Sequence, residues 1–349
     1  MSQNNPLKHV IKRSFQHVAA QFGAQNRTPT EPQLLVLMYH RVLPADDARA
    51  QIEEPGMWVT PDTFRKNLHL LSQRFEIVKL SDWLIRKKAG QTLPLKSCAI
   101  TFDDGWADNY EFAFPILQAL NIPATVYLVA DMIGTRDMFW PERLARTLTA
   151  IARNHPQQWS NPHLDWLRNS HVAYAFSQTP PTREELAQLI DQAKQQSDAD
   201  IHARLDIIEA ELGIATSQEQ ASLLDWKQVT EMTQSGLIEM GSHTCRHTRL
   251  TEETPSDILE HEIIDSKKII EKHTDQAITS FCYPNGDFSA EACRLVEQNY
   301  VGAVTTQSGW NTLKTDSNLL QRIGVHEDIA NDETAFLARI SGWMSLLTR

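Results

Sequence analysis

From Leu34 onward the chain alternates short apolar runs with segments of helical period, and no other feature constrains its fold as tightly. The runs at 34–39, 75–79, 97–102, 124–129, 237–241, 278–282, 301–305 and 320–325 predict strands. Residues 61–74, 81–88, 108–120, 225–235, 255–273, 289–299 and 332–346 predict helices. Such alternation builds a mostly parallel sheet, and this many units predict an α/β barrel. In barrels of this kind the reacting groups gather where strands end and loops begin.

Two regions depart from the rhythm. Residues 131–224 hold no convincing strand but several helical patterns, among them "REELAQLIDQAKQQ" and "IHARLDIIEAELG", and are expected to form a helical insertion. Residues 1–33 are expected to form an amphipathic helix and a linker, leaving 34–349 as the main domain. In the helix, Leu7, Val10, Ile11, Phe15, Val18 and Phe22 recur at helical spacing, with Lys8, Lys12 and Arg13 mostly opposite. It is expected either to dock on the domain or to rest on the anionic inner face of a membrane.

Composition narrows the partners. A formal net charge of −11 argues against nucleic acid, whose phosphates need a concentrated basic face. There is no run of about 18 apolar residues, so no transmembrane span is expected. The N-terminus lacks the apolar core of a secretory signal, and Cys98, Cys245, Cys282 and Cys293 form no CxxC pair. Both point to the reducing cytoplasm.

Three strand ends carry chemistry. "TFDDG" sets Asp103 and Asp104 side by side, an expensive arrangement unless a positive charge stands nearby. "GSHTCRH" places His243 and His247 four residues apart, so that a compact turn can point both imidazoles one way. With one aspartate they make a 2-His-1-carboxylate set, which fits Zn²⁺ with a bound water. "FCYPNG" is the third, with the Pro-Asn-Gly of a tight turn.

The strings Thr101-Phe102-Asp103-Asp104-Gly105 and Gly241-Ser242-His243-Thr244-Cys245-Arg246-His247 resemble the first two motifs of the NodB-type polysaccharide deacetylases, carbohydrate esterase family 4. The likeness covers about 34–130 and 225–345 and is to the exopolysaccharide-type branch. It implies a distorted (β/α) barrel of NodB type and hydrolysis of an N-acyl group, usually acetyl, on an amino sugar. The substrate would be a polysaccharide or a lipid- or nucleotide-linked precursor. By position, Asp104, His243 and His247 would bind one divalent ion, Zn²⁺ first, with Co²⁺, Fe²⁺ and Ni²⁺ as alternatives. Asp103 would be the general base.

The third family motif usually supplies an arginine that pairs with this base, and here Cys282 stands in its place, leaving the orientation of Asp103 open. For the general acid there are two candidates, His40 in "LMYHRV" and His326 in "RIGVHED", and the role is assigned to His40. Trp106, Tyr283 and Asn285 are assigned to substrate binding, Asn285 through backbone N–H groups near it. Two alternatives stand beside this function: a deformylase or other C–N amide hydrolase on a small sugar, and a catalytically silent carbohydrate-binding relative.

Overall fold

The computed structural model describes residues 6–168, 181–215 and 221–343. Residues 169–180 and 216–220 of the expected insertion, and 344–346 of the last predicted helix, lie outside the described residues.

Eleven strands are present among them: β1 Gln33–Tyr39, β2 Arg41–Val42, β3 Trp58–Val59, β4 Glu76–Ile77, β5 Lys96–Phe102, β6 Ala124–Leu128, β7 Ile238–Ser242, β8 Ser280–Cys282, β9 Gly302–Val304, β10 Asn311–Thr312 and β11 Ile323–Gly324. The main sheet runs β10-β1-β5-β6-β7-β8-β9, with β11 on β1 and β4 on β5; β2 and β3 pair separately. Every pair is parallel except β1 with β10. Leu320 bridges to Val304 of β9, and three residues later β11 pairs with β1, so the sheet curls round on itself. Leu34, Val36, Ala99, Tyr127, Cys282, Val304 and Leu320 accordingly share one core cluster, joined by Trp83 of the helix Leu80–Lys88. β5 and β6 are buried along almost their whole length, as expected of parallel strands covered on both faces. This is the distorted (β/α) barrel.

Register then places the chemistry. Tyr39 of β1 pairs with Phe102 of β5, which sets the next residues, His40 and Asp103, beside each other. Ser242 of β7 pairs with Phe281 of β8, which brings His243 alongside Cys282. Two predicted helices contain a π-turn, at Asn109–Ala113 and His261–Asp265, where one extra residue widens the coil.

The chain divides into two compact units. The barrel unit comprises 1–43, 58–134 and 223–349; the second comprises 44–57 and 135–222. The second unit has a helical core in which Leu144, Leu148 and Ile151 of the helix Trp140–Asn154 meet Leu189, Leu205 and Ile208. Buried Glu209 there accepts from Arg143 and Thr147, tying the helices Trp140–Asn154 and Asp198–Leu212 together. Residues 44–57, expected within the main domain, cluster with this unit; Arg183, for example, donates to the carbonyl of Glu53.

The N-terminal helix Pro6–Phe22 packs on the helix Glu333–Ile340, with Arg13 2.9 Å from Asp332. Val10, Ile11, Val18 and Phe22 stay exposed on it. No described helix is long and apolar enough to cross a membrane.

Candidate active site

At the end of β5 the backbone turns sharply. Asp104 and Gly105 both have φ near 75°, a left-handed conformation that an aspartate enters only at a cost of about 1–2 kcal/mol. A side chain at Gly105 would press on the tips of Leu128 and Ile133, and the positive φ there strains any residue but glycine. The turn aims the adjacent carboxylates at different partners.

Asp103 faces Arg322. The guanidinium makes a bidentate pair, Nη1 to Oδ1 and Nη2 to Oδ2, both at 2.7 Å, with both residues buried. It is fixed by further donations to the Thr305 carbonyl at 2.9 Å, Thr101 Oγ1 at 3.1 Å and Cys282 Sγ at 3.2 Å. Burial pushes the Asp103 carboxyl up, but the Arg322 charge and hydrogen bonds outweigh it and hold the group below its usual range. Asp103 is therefore an ionised, oriented acceptor at neutral pH.

Asp104 faces the histidines. Its Oδ1 lies 3.4 Å from His243 Nε2 and 3.5 Å from His247 Nε2, and it has no hydrogen-bond partner although buried. Its Oδ2 accepts from the Trp106 indole N–H at 2.9 Å. His243 Nδ1 sits 2.8 Å from the Cys282 carbonyl, which makes Nδ1 the donor and turns Nε2 toward Asp104. Burial lowers the pKa of this ring, but Cys282, Asp104 and Asp103 outweigh it and raise it well above the usual value, so Nε2 carries the proton whose place a bound cation would take. His247 is held at φ 62° with its N–H on Thr244 Oγ1 at 2.9 Å. Glu262 clamps the intervening loop by accepting from the N–H groups of Cys245 and Arg246 and from Thr248 Oγ1. Burial first, then the His243 charge, pushes His247 down to about 4, so its imidazole is neutral at pH 7.

These features fit a divalent cation. One carboxylate oxygen and two imidazole nitrogens, all within 4.8 Å of one another, converge where a buried oxygen lacks a donor. The carbonyl behind His243 and the indole behind Asp104 are the outer partners that such ligands need. A neighbouring trio, Asp103, His243 and Cys282, also lies close, but there Arg322 already supplies the positive charge.

His40 Nε2 lies 3.9 Å from Asp103 Oδ2, and its ring is partly exposed. Its carbonyl is fixed by Asn109 Nδ2 at 2.8 Å. His326 has Nδ1 3.3 Å from Asp328 and is pushed down by burial, against Asp328 and with smaller pushes from Arg339 and then His40. The barrel thus brings both histidines to one end.

Residues 90–304 match the family model for polysaccharide deacetylase. The chain belongs to the polysaccharide deacetylase family. Its members hydrolyse amide C–N bonds of carbohydrates, and the chain is an enzyme of that kind. It is 22% identical to the Bacillus subtilis protein YxkH over 93% of this chain and 81% of that one. It is 30% identical over 129 residues to a poly-β-1,6-N-acetyl-D-glucosamine N-deacetylase of Staphylococcus epidermidis, a match covering 34% of this chain and 44% of the relative. The fold is shared with the Streptococcus pyogenes deacetylase PplD, solved in complex with acetate, at a TM-score of 0.56 and 19% identity over 89% of this chain and 99% of that one.

As a polysaccharide deacetylase the chain departs from the expected pattern in where its arginine lies. Arg322 fills the space beside the small Cys282 thiol, so the guanidinium expected from the third motif arrives from the residue that leads into β11 instead. The sequence reading missed it. The available signal was a lone charged residue inside the predicted 320–325 strand, since a guanidinium buried in a sheet requires a carboxylate.

Two substrate assignments need correction. Trp106 is only 3% exposed, lies under the Arg41 guanidinium at 4.1 Å and spends its N–H on Asp104, so it has no open face for a sugar. It positions the carboxylate instead. Tyr283 is wholly buried between Phe281 and Phe288 and belongs to the core. Asn285 is exposed on the turn after β8, at φ 55°, with its carbonyl accepting from Thr306.

Proposed function

We propose that this chain is a metal-dependent N-deacetylase acting on an amino sugar in a polysaccharide or its lipid- or nucleotide-linked precursor. The observation that carries the proposal is the division between adjacent carboxylates: Asp103 lies on Arg322, while Asp104 faces His243 and His247. The likeness to the staphylococcal enzyme supports N-acetylglucosamine as the sugar. The absence of an arginine from the third motif would favour a catalytically silent relative, and Arg322 on Asp103 supports the active reading instead.

In this reading Asp104, His243 and His247 hold one divalent ion, assigned as Zn²⁺. When bound, the ion supplies Lewis acidity toward the amide carbonyl and acidifies water. Asp103 accepts the proton of the attacking water, and Arg322 keeps it ionised and oriented. The water oxygen bonds to the acyl carbon, and the backbone N–H of Asn285 stabilises the oxyanion, those of Gly286 and Asp287 being spent on the carbonyls of Tyr283 and Pro284. His40 then protonates the amine nitrogen as the C–N bond breaks, releasing acetate and a free amino sugar.

The test is acetate release from N-acetylglucosamine oligomers and from lipid- and nucleotide-linked N-acetyl sugars. Metal-free protein should be inactive and regain activity with Zn²⁺, at about one ion per chain. His247→Ala should lower both occupancy and activity. No acetate from any of these substrates by the loaded protein would refute the assignment.

For the acid, His40→Ala is expected to lower kcat by about 10²-fold or more, the usual contribution of a placed proton donor. His326→Ala, a residue whose Nδ1 is already engaged by Asp328, should change it by less than about 10-fold. The opposite ranking in steady-state kinetics would transfer the role to His326.

For the N-terminal helix we place Val10, Ile11, Val18 and Phe22, exposed together, against an anionic membrane surface, with Lys12 exposed nearby. Co-sedimentation with vesicles rich in phosphatidylglycerol should fall in the variant Ile11→Asp/Phe22→Asp. Equal sedimentation of both proteins would remove the membrane from the proposal.

A further inference from the structure

Cys245 has no part in the chemistry above, yet its surroundings resemble a ligand shell. Its thiol, Asp131 and His261 present one ligand atom each, all within 4.8 Å of one another. Asp131 Oδ2 and His261 Nε2 stand 3.8 Å apart, close to the edge of a tetrahedron of oxygen and nitrogen ligands around an ion. His261 Nδ1 lies 3.2 Å from Asp265 Oδ2, so a carboxylate stands behind the ring and turns Nε2 toward Asp131. This carboxylate–histidine arrangement is the one that orients metal-binding imidazoles.

The framework is rigid. The Asp131 N–H donates to the Cys245 carbonyl at 3.0 Å, and the Cys245 N–H to Glu262 at 2.7 Å. His261 opens the π-turn, whose extra residue sets the direction of its side chain. Entry is open because Asp131 and His261 are both partly exposed, while the cysteine is buried behind them. Two cations face the cluster: Arg246, with Nε 3.5 Å from Asp131, and Lys268, 2.9 Å from Asp265. Arg246 is largely exposed and can swing into solvent.

We propose that Asp131, Cys245 and His261 form a second cation site, separate from Asp104, His243 and His247, for a thiophilic divalent ion such as Zn²⁺ or Cd²⁺. Binding forms a metal–sulfur bond and releases the thiol proton to solvent, leaving water for the fourth position. Because Cys245 lies midway between His243 and His247, an ion here also grips the loop that carries both.

The test is a Cd²⁺ titration of protein loaded with a single equivalent of Zn²⁺, which leaves the second site empty, read by equilibrium dialysis and by the ultraviolet cadmium–thiolate absorption. The first site has no cysteine, so the absorption reports the second alone. Wild type should bind one ion more per chain than His261→Ala and show the band. His261→Ala and Cys245→Ser should both lose it, with zinc content of His261→Ala unchanged. Asp265→Asn should weaken Cd²⁺ binding about 10–100-fold. Absence of the band in wild type would overturn the proposal, as would its persistence in either the His261 or the Cys245 variant.

Discussion

Asp103→Asn is expected to lower kcat by about 10²–10⁴-fold while leaving the metal content of the protein unchanged, as measured by single-turnover acetate release and elemental analysis. The carboxylate does not belong to the set that converges on Asp104 Oδ1; both its oxygens are engaged by Arg322. Asparagine keeps the shape but cannot take a proton, and it leaves the guanidinium buried without a counter-charge. Thermal unfolding should therefore be run alongside, to separate lost turnover from lost structure. Loss of metal in this variant would mean that the two aspartates exchange roles.

Arg322→Met should be nearly as damaging and in a different manner. Removing one partner of a buried ion pair typically costs about 3–5 kcal/mol, because the other charge stays buried without compensation. Without the guanidinium, burial is the dominant influence left on Asp103 and raises its pKa instead of being outweighed. The acid limb of kcat/KM should move to higher pH, with activity recovering part of its loss in alkaline buffer. The sign for stability follows from the same pair. In the intact protein the depressed Asp103 pKa contributes stability above the unfolded carboxylate pKa of about 3.9, and that contribution is lost as pH falls through the folded value. An unshifted acid limb in the methionine variant would detach Arg322 from the base.

The parts of this molecule that could be read from its sequence are those written locally. Strands β1, β5, β6 and β7 announce themselves as apolar runs, and "TFDDG" and "GSHTCRH" carry their chemistry within a few residues of a strand end. β2, β3 and β10 have two residues each, too few to display a period of two. The Asp103–Arg322 pair spans 219 positions and leaves no spacing signal at either end. Trp106 shows the converse error: its place beside the aspartates was legible, but only the packed structure reveals that its ring is covered and its N–H committed. Residues 44–57 carry no periodic pattern that ties them to 135–222, so their common unit emerges only from tertiary packing.

The distance along the chain between Asp103 and Arg322 also sets an order of events during synthesis. A ribosome delivers Asp104, His243 and His247 first, and the arginine only when the last barrel strand is made. Until then Asp103 lacks its bidentate partner. A chain that stops between His247 and Arg322 holds the three residues proposed as metal ligands without the guanidinium that orients the neighbouring carboxylate. In the proposed mechanism such a chain has its ligand set before its base is placed.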